Sequence, residues 1–192
     1  MTALESSYSA EVVRLVESSV ELMRALRCVR GLGLASWCIG AGVVRNHVWD
    51  ALHGRPSVHD SDVDVVYFDA HSAAERDAEL QSRLCSLMPD VEWEVTNQAH
   101  VHRWFEREHG RNVAPLGSLE EGVSTWPEFA TCVGVYLTQD DAVQVVAPHG
   151  LADLFELRVR RNPARASIDE FRQRVRTRRF LERWPRLALV QS

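Results

Sequence analysis

Apolar residues along the chain alternate between helical and strand spacing. From Ser9 to Arg30, Val12, Val13, Val16, Val20, Met23 and Leu26 recur at intervals that keep one helical face apolar. The Ser18-Ser19 pair inside this run predicts a division into two packing helices. Gly31 and Gly33 end the region, and Ala35 to Ile39 reads as a strand, most apolar over Trp37 to Ile39. Gly40-Ala41-Gly42 then turns the chain into a second helical run, with Val43, Val44, Val48 and Leu52 apolar, ended by Gly54 and Pro56. Asp62-Val63-Asp64-Val65-Val66 alternates as a strand does and runs on into Tyr67 and Phe68.

The later pattern is similar. Ser72 to Leu87 reads as a helix capped by Ser72 with Glu75 three residues on. Pro89-Asp90 turns the chain into an alternating strand, Val91 to Val95, with Glu92 and Glu94 on one face and Trp93 on the other. Asn97 to Glu108 is predicted helical. Ser118 with Glu121 predicts a capped helix ending near Trp126-Pro127. Thr131 to Leu137 and Ala142 to Ala147 flank Thr138-Gln139-Asp140-Asp141, a hairpin signal. A short helix over Leu151 to Leu157 precedes an irregular or extended link, Arg158 to Pro163. Ser167 with Glu170 caps a last helix through Arg183, with Phe171, Val175 and Arg178 along one stripe. Trp184 to Leu187 is expected to fold back onto the body. This order predicts an α/β (α+β) fold, a mixed sheet flanked by helices. It suits a single domain over residues 1–192: N-terminal helices over 1–34, a core over 35–150 and an Arg-rich helical segment over 151–192.

Composition narrows the class. At 192 residues and 45% hydrophobic, the chain can bury one sizeable core. No apolar run reaches the roughly 18 residues of a membrane span, and Met1 to Tyr8 has no signal-peptide character. The expectation is a cytoplasmic protein with no membrane partner. Cys28, Cys38, Cys85 and Cys132 form no C-x-x-C pair, so four reduced thiols are expected, not a zinc site or disulfide framework. All 22 basic residues are arginine. From Leu151 onward there are eleven arginines and five acids, a net charge of +6, in a chain whose total is −5. Such a segment can bind a polyanion or pack against an acidic body. No nucleic-acid-binding motif accompanies it, so a nucleic-acid partner is not favoured.

Candidate chemistry concentrates between Ile39 and Asp69. Residues two apart on a strand share a face, so Asp62 and Asp64 present two carboxylates together. Such a pair at a strand end can hold the hard cations of metal-assisted phosphoryl transfer. The glycine turn supplies a complementary part: its backbone can approach a phosphate closely, and the helix it opens offers free N–H groups. Asp-x-Asp alone is a common pattern; its combination with Gly-Ala-Gly and Arg45-Asn46 is far more specific.

This combination resembles the DNA polymerase β-like nucleotidyltransferase superfamily, in which a glycine turn at a helix start precedes a D-x-D strand. Gly-Ala-Gly-Val-Val-Arg-Asn with the later Asp-Val-Asp looks most like the head domain of tRNA nucleotidyltransferases. A closer resemblance is to a bacterial family of small nucleotidyltransferase-like proteins, through Val48-Trp49-Asp50, Asp62 to Asp69, Asn97-Gln98-Ala99 with His102, Trp126-Pro127-Glu128, and Ala147-Pro148 through Phe155. It runs from about Trp37 to Leu187. The resemblance implies Mg²⁺ (or Mn²⁺), a nucleoside triphosphate and a hydroxyl acceptor that the sequence does not identify. It implies Asp62 and Asp64 as metal ligands. It places a third carboxylate on a neighbouring strand, with Glu94 the candidate and Glu92 the fallback. It also implies that Gly40, Ala41, Gly42, Arg45 and Asn46 bind the nucleotide.

The chain departs from the pattern in places. The turn lacks the hydroxyl of Gly-Ser members, Asn46 replaces an Asp of the tRNA-enzyme motif, and 19 residues separate Gly42 from Asp62. His100 stands where relatives carry Arg. For His100 and His102 a hydrogen-bonding role and a substrate role both stand, and Trp126-Pro127-Glu128 reads either as structural or as a wall of the nucleotide site. Two rival functions remain. One is a non-catalytic nucleotide-binding or interaction protein on the same fold, distinguished by whether divalent-metal binding depends on Asp62 and Asp64. The other is an Arg-rich nucleic-acid-binding module, marked by salt-dependent RNA binding.

Overall fold

A computed structural model describes residues 2–57 and 62–190; the outer ends of the predicted domain and residues 58–61 of the motif stretch lie outside the described residues. Two helices open the chain, α1 (Ala3–Ser18) and α2 (Val20–Arg30). They divide at Ser19, whose extended backbone stops α1 and whose side chain caps α2 by accepting from the Leu22 N–H at 3.2 Å. Then come β1 (Trp37–Gly40), α3 (Gly42–Leu52), β2 (Val63–Tyr67), α4 (Arg76–Leu87) and β3 (Trp93–Asn97). A 3₁₀ turn, Gln98–His100, leads into α5 (Val101–His109), followed by α6 (Leu119–Ser124) and a second 3₁₀ turn, Phe129–Thr131. The chain ends with β4 (Gly134–Leu137), β5 (Val143–Val146), α7 (Ala152–Phe155), β6 (Arg158–Arg160), α8 (Ile168–Thr177), α9 (Phe180–Arg183) and β7 (Ala188–Val190).

Five strands form a mixed sheet in the order β3-β2-β1-β4-β5, with β2 and β3 parallel and the other neighbours antiparallel. The alternation read from the sequence divides its faces. Ile39, Val65, Trp93, Val95, Val135 and Val143 point into the main core, which α1, α2, α3 and α4 cover with Val16, Leu26, Val48 and Leu84. The other face carries Asp64 and Glu94 towards one end, with Cys38, Val66 and Cys132 packed beside α6. One face therefore holds the fold together and the other is free to carry chemistry.

The Arg-rich segment belongs to that core. Phe180 and Trp184 are fully buried and meet Trp49 of α3 edge-on, with ring centroids 5.6 and 5.1 Å away. The Trp184 indole N–H donates to Asp50 at 2.8 Å, which satisfies a polar group that burial would otherwise leave unpaired. Fully burying each large apolar side chain contributes about 1.5–3 kcal/mol.

Several predicted boundaries move, each for a local reason. The helix expected from Ser72 begins at Arg76, because the Ser72 hydroxyl accepts from the Asn97 side chain at 2.7 Å and is not a cap. Asn97 ends β3 and caps the 3₁₀ turn with which the predicted helix begins: it is wholly buried, its side chain accepts from the Ala99 N–H, and it ties Asp69 and Ser72 to that turn. The Ser167–Glu170 capping box forms as predicted, but the last helix divides where Arg179 adopts φ 52°, a left-handed conformation that ends α8. The link after Arg158 is strand β6, which pairs in parallel with β7, a strand the apolar pattern did not reveal. Among the described residues no helix is long and apolar enough to cross a membrane.

Candidate active site

Parallel pairing of β2 and β3 sets Asp64 directly opposite Glu94. Asp62, just before β2, lines the same cavity, whose volume is about 390 Å³. Glu92 and Glu94 are both exposed, but of the two only Glu94 lines it. Burial raises the Asp64 carboxyl to about 6, with repulsion from Glu94 and Asp62 adding to it, while Arg174 and the Gly42 N–H oppose the rise. Asp64 therefore sits in an anionic wall that a cation would relieve. Among the described residues no three His, Cys, Asp or Glu side chains form a ready-made metal cluster.

The glycine turn abuts this wall, since Gly40 pairs with Asp64 across β1 and β2. Ala41 takes φ 54° and ψ −119°, a region that penalises a Cβ. The bend is held from both sides, by the Ala41 N–H donating to the Val133 carbonyl at 3.1 Å and the Arg45 N–H donating to the Ala41 carbonyl at 3.1 Å. No side chain caps α3, and its first N–H, from Gly42, reaches Asp64. Gly40 is required by close packing: a Cβ there would lie 2.4 Å from the Trp126 ring. Trp126 and Pro127 line the cavity, whereas Glu128 is fully buried.

Arg45 and Asn46 border the cavity, but internal partners engage both. Arg45 donates to the Thr131 hydroxyl at 2.8 Å and to the Asn46 side-chain oxygen at 2.8 and 3.2 Å, and lies 3.8 Å from Glu128. Its guanidinium stacks over Phe180 and Trp49, 4.6 and 5.0 Å from their centroids. Burial pushes it down to about 9, with Glu128 opposing, so it stays charged at neutral pH. Glu128 also accepts from Thr131 and from Arg174 of α8, both at 2.7 Å. A buried carboxylate thus joins α3, the 3₁₀ turn and α8, and breaking such a pair on one side costs about 3–5 kcal/mol.

Sequence reasoning missed the arginines of the cavity. Arg165, Arg174, Arg178 and Arg183 line the cavity that the acids line. Arg174 and Arg178 are four apart and share a helical face, a visible spacing; the sequence reading set Arg178 on an apolar stripe and treated the arginines as partners of the body. Gln98, Val101, Trp104 and Phe105 add a mixed polar and aromatic side. His100 and His102 do not line the cavity, and the His100 Nε2 and His102 Nδ1 atoms are buried without hydrogen-bond partners among the described residues. A second, more open cleft of about 1000 Å³ lies over β4, β5 and the start of α1, away from these acids.

A mixed five-stranded sheet with a glycine turn into α3 and carboxylates on neighbouring strands defines the polymerase β-like nucleotidyltransferase class. Residues 27–189 match the model of a family described as nucleotidyltransferase, and the chain belongs to that family. It is similar in structure to one described as a CCA-adding enzyme head domain, determined by NMR, with a TM-score of 0.78, 28% identity, and coverage of 95% of this chain and 96% of that one. Two structures of a tRNA-processing enzyme share the fold. One, of a complex, has a TM-score of 0.53 at 21% identity over 87% of this chain, and the other, an apo form, 0.52 at 20% over 89%. The chain spans 43% of each of these longer proteins. A comparison with curated proteins gives no match.

Proposed function

We propose that the cavity transfers a nucleoside monophosphate from a nucleoside triphosphate to a hydroxyl acceptor, with Mg²⁺ or Mn²⁺ held at Asp62, Asp64 and Glu94. The observation that carries this reading is the pairing of Asp64 with Glu94 beside the uncapped start of α3, inside a cavity that arginines also line. The donor set suits a hard divalent cation: all three groups are carboxylates, and burial, with their repulsion adding to it, raises Asp64. They would supply the protein ligands of a cation that usually binds through only one or two carboxylates. When bound, the cation supplies charge stabilisation at the reacting phosphate.

The chain's own residues do the rest. The α3 start directs N–H groups at phosphate oxygens. Trp126 and Pro127 wall the cavity and exclude water from one side. The acceptor oxygen bonds to the α-phosphorus as the bond from that phosphorus to the bridging oxygen breaks. Pyrophosphate leaves with the electron pair, and the hydroxyl proton passes to a carboxylate oxygen of the acidic wall. Arg45, engaged by Thr131, Asn46 and Glu128, acts here through its fixed positive charge and by holding α3 in place. The metal assignment is tested by calorimetry of nucleoside triphosphate binding with and without Mg²⁺. Binding should strengthen with the cation in the wild type and lose that dependence in Asp62→Asn; equal dependence in both would remove Asp62 from the metal site.

A further inference from the structure

Arg174, Arg178 and Arg183 of the Arg-rich C-terminal segment line the cavity that the acids line, and Arg174 and Arg178 keep donors that nothing among the described residues engages. Glu128, the buried carboxylate between Arg45 and Arg174, holds the Arg174 Nε at 2.7 Å. Among the described residues the Arg174 Nη groups have no hydrogen-bond partner. Arg178 lies one turn further on, at the C-cap of α8; it is exposed, and among the described residues its side chain has neither a hydrogen-bond nor an ion-pair partner. Arg183 reaches the same cavity from α9, its guanidinium 4.4 Å from the Trp184 ring centroid. Repulsion from Arg174, Arg178 and Arg183 together is felt at Arg45 behind them, so the charges are crowded around one space. Folding gathers this like-charged cluster and three carboxylates around one cavity of about 390 Å³. Such crowding is unfavourable until a polyanion enters.

We propose that Arg174, Arg178 and Arg183 form a polyphosphate clamp that binds the β- and γ-phosphates of the incoming nucleotide and then the departing pyrophosphate. The clamp rests on the transfer reading for its place in the reaction but not for its ability to bind. Phosphate oxygens would accept from the guanidinium N–H groups, with planar forks suited to paired contacts. Glu128 is a positioning residue: it fixes the Arg174 guanidinium at its Nε edge and leaves the Nη groups for phosphate. The clamp would bind the distal phosphates while the acidic wall takes the α-phosphate, which sets the nucleotide's direction in the cavity. The C-terminal segment would then be a substrate-binding element that the helical stripe of Phe171, Val175 and Phe180 anchors to the body.

The test uses the full chain, with inorganic tripolyphosphate as the probe in a chelating buffer, followed by calorimetry. The wild type should bind it, and Arg178→Gln should weaken binding about tenfold or more, as expected for losing a charge-assisted contact. Arg178→Lys should recover part of the loss. Glu128→Gln should weaken tripolyphosphate binding, and thermal unfolding shows whether that variant is folded; the exposed Arg178 variants keep the test valid if it is not. Asp64→Asn should bind the probe as well as the wild type or better, because it removes a like charge. Unchanged affinity in Arg178→Gln and Arg183→Gln would overturn the clamp even if Asp64→Asn abolishes transfer. Intact clamp behaviour in a protein that transfers no nucleotide would sink the transfer reading alone. Loss of single-stranded RNA binding in the arginine variants, with tripolyphosphate affinity unchanged, would assign the cluster to nucleic acid and overturn the proposal.

Discussion

Replacing Asp64 by Asn should stabilise the protein at neutral pH while abolishing its chemistry. The folded-state carboxyl is raised from 3.8 to about 6, by burial first and by Glu94 and Asp62 next. For an acid shifted upward, ionisation opposes folding. The penalty is absent below pH 3.8, grows between pH 3.8 and 6, and is complete above pH 6. At about 1.36 kcal/mol per tenfold change, the rise corresponds to about 3 kcal/mol. Asparagine keeps an oxygen for the Gly42 N–H and removes the charge, so most of that penalty should be relieved. In a protein of this size 1 kcal/mol moves the melting temperature roughly 2–4 °C, so the expected gain is roughly 6–12 °C at pH 8. Thermal unfolding followed by circular dichroism, with a chelator present, measures it. The gap should close at pH 4, where wild-type Asp64 is protonated in the folded state. Saturating Mg²⁺ should narrow it at pH 8 by stabilising the wild type through binding. A variant no more stable than the wild type at pH 8, or equally stabilised at pH 4, would show that Asp64 is not an ion held against burial and repulsion.

Glu94→Gln should lower nucleotidyl transfer at least about 100-fold, the loss of roughly 2.7 kcal/mol of charge stabilisation, whereas Glu92→Gln, outside the cavity lining, should stay within about twofold; initial rates compared side by side decide, and the reverse order would assign the third carboxylate to Glu92. Ala41→Gly should raise the melting temperature, because relieving a strained φ of 54°, worth about 1–3 kcal/mol, exceeds the entropic cost of glycine of about 1 kcal/mol; a fall would show that Ala41 is unstrained. Trp184→Ala should destabilise by about 3–5 kcal/mol, because it empties a fully buried site and frees the Asp50 bond; denaturant unfolding with an unchanged midpoint would detach the C-terminal segment from the core.

What the sequence made legible was local. Alternation in Asp62-Val63-Asp64-Val65 fixed the faces of β2, and the parity of Glu92, Trp93 and Glu94 fixed those of β3. The pairing that set Asp64 beside Glu94 depends on parallel register between strands separated by α4, which spacing along the chain does not encode. Ser18-Ser19 announced the helix break because a serine cap acts within three residues. Ser72 misled because its hydroxyl is taken by Asn97, 25 residues away. β6 and β7 were invisible for a related reason: strands of three residues have little periodicity, and each needs the other to form. Arg45 shows the same limit at the site. Its position in the first turns of α3 suggested a phosphate ligand, but Glu128, Thr131 and Phe180, all distant in sequence, define its surroundings. The arginines of α8 and α9 were read as balancing charge because a helical stripe gives the buried face, not what the other face looks onto.

Nucleotide transfer is proposed for the acidic wall of Asp62, Asp64 and Glu94. It is tested most directly by incubating the protein with each nucleoside triphosphate labelled at the α-phosphate, Mg²⁺ and a cell extract, and scoring products by mass. The account predicts label gained on an acceptor as one nucleoside monophosphate, with pyrophosphate released, in the wild type with Mg²⁺. It predicts none with chelator and none for Asp64→Asn. Label transfer that persists in Asp64→Asn, or a wild type that binds nucleotide with Mg²⁺ yet adds no mass to any acceptor, would contradict it.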